Sequence, residues 1–163
     1  MQKNARSIIR SMSNDENAIR EIYAQNLACW NDRGAAGMAA LYGPQSLQIG
    51  FDGSQMIGAD VIESTLGNIF AHHRTAAYIG KIRRVRFISS DVALVYAVVG
   101  MVPPDATAIN PAVNAVQTLL AKKHGDRWRI ELFHNTPAAY HGRPEDSAAL
   151  TAELQAELDS ISK

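Results

Sequence analysis

Three hydrogen-bonding side chains, His134, Asn135 and Thr136, stand together where the apolar strand Trp128–Pro137 should be finishing. A buried histidine could act as acid or base near neutral pH, and a neighbouring amide could donate to a developing oxyanion. In a regular strand His134 and Asn135 point to opposite faces, so only one of them can face an enclosed space. Trp128, Ile130 and Leu132 share the side of His134, which makes that side the buried one unless a bulge reverses the order. Asn26 is the second chemical signal. It interrupts a helical face made of Ile19, Ile22, Tyr23, Leu27 and Trp30. A buried amide without partners costs about 1–3 kcal/mol, so Asn26 either bonds a nearby backbone group or lines a pocket with Tyr23 and Trp30. Gln117 and Thr118 sit between apolar neighbours, and one of them must face inward. Tyr96 lies in a strand apolar on both sides, where its hydroxyl needs a partner. The candidate ligand-binding set is therefore Tyr23, Asn26, Trp30, Tyr96, Gln117, His134 and Asn135, with His134 the candidate catalytic base.

Other chemistries find less support. His72-His73 diverge on a helix and have no third ligand at suitable spacing, so neither a metal nor a cofactor is expected. The 16 basic and 16 acidic residues cancel, which removes the excess of cations that nucleic-acid binding rests on. Lys81, Arg83, Arg84 and Arg86 form a basic strand segment that reads as a solvated face, a dimer rim or an anion site. Cys29 is the only cysteine, so no internal disulfide forms and a reducing, cytoplasmic setting is expected. No run approaches the roughly 20 apolar residues of a membrane span.

The elements that must position these residues follow from spacing. Residues 1–12 read as a flexible arm and 13–163 as one domain. Ser13 and Asn14 can cap the first helix, and Gly34 ends it. A short helix through Met38, Leu41 and Tyr42 stops at Gly43-Pro44. Leu47, Ile49 and Phe51 alternate into an Asp52-Gly53 turn and a return strand at Met56-Ile57. Val61, Ile62, Leu66, Ile69 and Phe70 mark a helix at about 59–72. Then come strands Tyr78–Ile88, with a bulge at Arg83-Arg84, Val92–Val102, Ala115–Lys123 and Trp128–Asn135. A loop from Pro103 to Pro111 has little to bury, and a last helix opens at Arg143-Pro144. Helices before and after long strands predict an α+β cone: a curved antiparallel sheet of about six strands wrapped around the N-terminal helices, with a C-terminal helix. Helices in this order cover one face of Val92–Val102, so the other face predicts a homodimer.

The stretch Leu27-Ala28-Cys29-Trp30-Asn31 to Leu41-Tyr42, the Phe51-Asp52-Gly53 hairpin, the Gly58-Ala59-Asp60 helix start and the Trp128–Pro137 ending resemble the nuclear transport factor 2-like superfamily, in its polyketide-cyclase-like (SnoaL-like) branch. Phe133-His134-Asn135-Thr136-Pro137 followed by His141-Gly142-Arg143-Pro144 is most similar to small proteins encoded near enediyne-antibiotic pathways. The resemblance implies a deep pocket under the first helix and a homodimer through the outer sheet face. It does not imply one activity, because the superfamily holds both enzymes and binders. Its ketosteroid isomerases carry a tyrosine near the position of Asn26 and an aspartate near the end of the first strand, where Gln48 and Gly50 offer no acid. The expected function is a binding protein for a small apolar molecule; the alternative is a cyclase or isomerase acting on a polyketide-like or aromatic substrate.

Overall fold

The computed structural model describes the backbone from residue 2 to residue 162, and side chains from Met12 onward except at position 13. Helix α1 (Gln2–Asn31) runs straight through the expected cap at Ser13, so the helix starts eleven residues earlier than its spacing suggests. It is followed by α2 (Ala35–Ala39), β1 (Tyr42–Ile49), β2 (Gln55–Ile57), α3 (Ala59–His72), β3 (Ala77–Phe87), β4 (Val92–Val102), β5 (Ala115–His124), β6 (Arg127–Pro137) and α4 (Pro144–Ile161). A 3-10 turn, Pro111–Val113, links β4 to β5. Tyr42 belongs to β1 and not to the second helix.

The six strands form one sheet in the order β2-β1-β6-β5-β4-β3. The neighbouring pairs are antiparallel except β1 with β6, which run parallel. The sheet is therefore mixed, not wholly antiparallel. Three irregularities shape it, the first in the β1–β6 pair between Tyr42 and Leu47; the other two bear on the expected site residues. One lies at Arg83, as its spacing predicts, between the pairs Ile82–Ala97 and Arg84–Tyr96. The other lies at Glu131, between the pairs Ile130–Ala121 and Leu132–Leu120. Gly43 has no side chain, and the Glu131 carboxylate occupies the space that a Cβ there would need.

α1 and α3 pack on the inner face of the sheet. Ile19, Ile22, Tyr23, Leu27, Ile62, Leu66 and Phe70 meet Val95, Ala97, Val99, Leu119, Ile130 and Phe133 in the principal core. α1 approaches β3 so closely at Gly80 that a Cβ there would lie 2.5 Å from Leu27 Cδ1. This close backbone approach is the common reason for a glycine inside a strand. α4 covers part of the outer face, where Leu150 and Leu154 bury Val98 and Ile109. Ile109 is 6% exposed, so the Pro103–Pro111 loop does bury an anchor. The basic segment of β3 serves the same docking: Lys81 pairs with Glu157 at 2.7 Å, and Arg83 with Glu153, both on α4.

Candidate functional site

Beneath α1 the inner face turns polar. Gln117 and Asn135 are direct partners across β5 and β6, and Tyr23 comes down on them from the inward side of α1. The Tyr23 hydroxyl donates to Gln117 Oε1 at 2.8 Å, and Gln117 Nε2 donates to Asn135 Oδ1 at 2.7 Å. Asn135 Nδ2 then donates to the Ile49 carbonyl of β1 at 3.3 Å. This chain ties a helix to three strands through neutral groups. Burial pushes the Tyr23 phenol far above its ordinary pKa, and pushes nearby Tyr78 up to about 12. Both stay protonated and can only donate or accept a neutral hydrogen bond.

Beside the satisfied chain is an unsatisfied set. Asn26, Tyr42, Ser46 and Gln48 are all buried, with Asn26 at 0% exposure. Among the described residues neither Asn26 Oδ1 nor Nδ2 has a hydrogen-bond partner, and the same holds for the Tyr42 hydroxyl, Ser46 Oγ and Gln48 Oε1. Burial holds the Tyr42 phenol well above its ordinary pKa. The Asn26 amide lies close enough to pull it the other way, though the two are not in hydrogen-bond geometry. Each such orphan costs about 1–3 kcal/mol in a dry interior. Four together are more than packing alone explains. The buried polar residues of the described chain are Asn, Gln and Ser, with no carboxylate and no histidine. The arrangement can hold a carbonyl or hydroxyl oxygen by hydrogen bonds. It offers no group of ordinary basicity to take a proton from carbon.

A cleft of about 450 Å3 opens outside this set, between α2, α3 and β1, with Ala36, Ala39, Ala59, Glu63 and Arg129 in its walls. Tyr42 belongs to both spaces: it forms part of the cleft wall, while its hydroxyl is buried among the orphans.

The expected site residues divide between two faces. Tyr23, Gln117 and Asn135 meet under α1, while Asn26, buried on the same helix, lies near Tyr42. His134 does not: the extra residue at Glu131 inverts the alternation, so Phe133 and Asn135 turn inward and His134 joins Leu132 on the outer face. Tyr96 is also displaced, lying 43% exposed on the outer face opposite Thr118. Trp30 packs edge-on to Phe70 and donates from Nε1 to the Ala76 carbonyl at 2.9 Å, so its polar atom is already engaged. Tyr42, Ser46 and Gln48 were not among the expected residues. Ser46 and Gln48, two apart on a strand, carried a period-two signal for a polar inward face.

No known family profile matches the chain, and no curated protein sequence does. Solved structures do match. A domain of unknown function from Nostoc punctiforme PCC 73102, described as having a cystatin-like fold, superposes with a TM-score of 0.74 at 25% identity, covering 91% of this chain and 94% of its own. The fold is cystatin-like. An NTF-2-like protein of unknown function from Shewanella oneidensis MR-1 (TM-score 0.59, 20% identity, 75% and 98% covered) shares this fold. So does a type 2 hexachlorocyclohexane dehydrochlorinase (TM-score 0.67, 13% identity, 78% and 88% covered). The cystatin-like fold thus carries enzymes as well as proteins without assigned chemistry, and the side chains of each site must decide between them.

Proposed function

We propose that this protein binds an uncharged, largely apolar small molecule in the interior beneath α1, reached past Tyr42 from the α2–α3 cleft. The observation that carries this reading is the set of four buried, unpartnered neutral side chains, Asn26, Tyr42, Ser46 and Gln48. A ligand oxygen set among them would satisfy groups that the protein alone leaves stranded. Binding without turnover is favoured over a cyclase or isomerase, because His134 lies on the other face and no buried acid or base faces Asn26. The motif resemblance to proteins encoded near enediyne pathways supports an auxiliary role in secondary metabolism, with an aromatic or polyketide-like occupant. A crystal structure grown with a neutral aromatic ketone tests the proposal. Density between Asn26 and Gln48 is expected, and density confined to surface clefts would count against it.

The reading includes a homodimer through the outer sheet face. Ile57, Leu47, Leu132, Leu120 and Leu94 are successive cross-strand partners, so they form one apolar row over five strands. Ile57 is 62% exposed. α4 covers Val98 but not this row, and a continuous apolar stripe of that kind is a contact surface more often than a wetted one.

A further inference from the structure

A larger concavity than the α2–α3 cleft lies elsewhere, on the far side of the sheet from Asn26. It is a groove of about 930 Å3 between α4, the 108–111 end of the loop after β4, and the segment 139–143 that follows β6. Its size falls within the range of small-molecule sites.

We infer that this groove is a second ligand site, for an elongated apolar molecule that ends in a carboxylate. The walls are apolar, built from Ile109, Pro111, Ala148 and Ala152. The floor is fixed: Ile109 is packed against Val98, Leu150 and Leu154, and its amide donates to Gln155 Oε1 at 3.0 Å. At one end stand Arg143 and His141, while no aspartate or glutamate lines the groove. The Arg143 guanidinium is held over the Tyr140 ring at 5.2 Å, which limits the side-chain freedom lost on binding. One of its N–H groups, on Nη1, reaches Asp146 Oδ2 at 2.8 Å. Among the described residues Nη2 and Nε have no partner, and a guanidinium can serve two carboxylates through separate donors. Lys81 and Arg83, which also face α4, are engaged by Glu153 and Glu157, and neither they nor Arg84 and Arg86 of the same strand line the groove. Arg143, although one of its nitrogens already serves Asp146, is the arginine that lines the groove and can meet an anion there through its remaining donors, beside walls that suit an alkyl or aryl body. An apolar body alone would not select this place; the pairing of a carboxylate-free groove with a positioned guanidinium does.

Equilibrium dialysis of labelled decanoate against the full chain tests the inference, with decanol as the uncharged competitor. Wild-type protein should bind decanoate saturably, and decanol should compete poorly. Arg143→Gln should weaken binding about tenfold, the loss expected for a charge-assisted hydrogen bond. Ala148→Trp, at an exposed helix position, should abolish binding by filling the groove while leaving the melting temperature unchanged. Asn26→Leu should leave decanoate affinity untouched, which keeps this site distinct from the interior one. Absence of saturable binding, equal competition by decanol, or retention of affinity in Ala148→Trp would each overturn the inference. So would a loss confined to Asn26→Leu, which would assign decanoate to the interior. A change of sedimentation in Ala148→Trp would show that the groove is an interface between copies of the chain.

Discussion

Replacing an amide by leucine should have opposite signs at two fully buried positions, Asn26 and Gln117. Both are at 0% exposure. Leucine has as many side-chain heavy atoms as asparagine and one fewer than glutamine, so both substitutions trade a buried amide for a branched apolar group, with some overpacking at Asn26. The hydrogen bonds differ. Gln117 accepts from Tyr23 and donates to Asn135. Gln117→Leu therefore strands two buried groups, at about 1–3 kcal/mol each, for a total loss of about 2–6 kcal/mol. Asn26 has no partner at either atom, so Asn26→Leu removes two stranded groups and leaves none newly exposed. A gain of about 1–2 kcal/mol is expected, less than the full desolvation cost because water or small shifts recover part of it. For a chain of this length each kcal/mol moves the melting temperature by about 2–4 °C. Asn26→Leu should then melt about 2–8 °C higher than wild type, and Gln117→Leu clearly lower. The assay is thermal and urea unfolding of the ligand-free protein at one fixed concentration, since a dimer's stability depends on concentration. A loss of more than about 1 kcal/mol in Asn26→Leu would refute the reasoning, because it would show Asn26 and Tyr42 holding one another as a structural pair.

Leu132→Glu, in the middle of the outer apolar row, should convert a micromolar dimer to a monomer in sedimentation velocity without loss of fold; a wild-type monomer at that concentration would contradict the dimer. Gly80→Ala should destabilise by about 1–3 kcal/mol in urea titration, because its Cβ would sit 2.7 Å from the Tyr23 hydroxyl and overpacking of this kind is costly; no change would mean that α1 has slack over β3. Partial burial raises the Asp15 pKa, but the Trp128 indole N–H and the Lys123 ammonium outweigh it and hold the carboxyl below its ordinary value. A depressed folded pKa stabilises above the unfolded value of about 3.9 and is lost as pH falls through the folded one. The stability advantage of wild type over Asp15→Asn should therefore hold at pH 7 and shrink in melts taken from pH 5 downward; an advantage unchanged to pH 2 would contradict it.

Much of the fold is written in local spacing. Val92–Val102 and the helix from 59 to 72 match their observed bounds, because a long apolar strand and a clean three-and-four stripe leave few alternatives. The parallel pairing of β1 with β6 is not legible, since it joins segments about eighty residues apart with no turn between them to announce it. Tyr42 fits the helical spacing of Met38 and Leu41 but is claimed by the sheet. Tyr96 shows the limit of a strand apolar on both sides: alternation carries no sign there, so its outward face could not be read. At His134 and Asn135 a single extra residue, Glu131, inverts everything after it. The polar interior was legible at Asn26, where an amide breaks an apolar helix face. It was not legible at Tyr42, whose role depends on which element holds it.

The central claim is that the unpartnered groups beneath α1 are kept for a ligand. Isothermal titration of wild-type, Asn26→Leu and Tyr42→Phe protein with a panel of neutral aromatic ketones and hydroxyketones tests it most directly. At least one compound should bind wild type saturably, and both variants should bind it at least about tenfold more weakly, the effect of one lost buried hydrogen bond, while melting no lower than wild type. A compound that binds all three proteins equally, or a panel with no saturable binder, would contradict the claim.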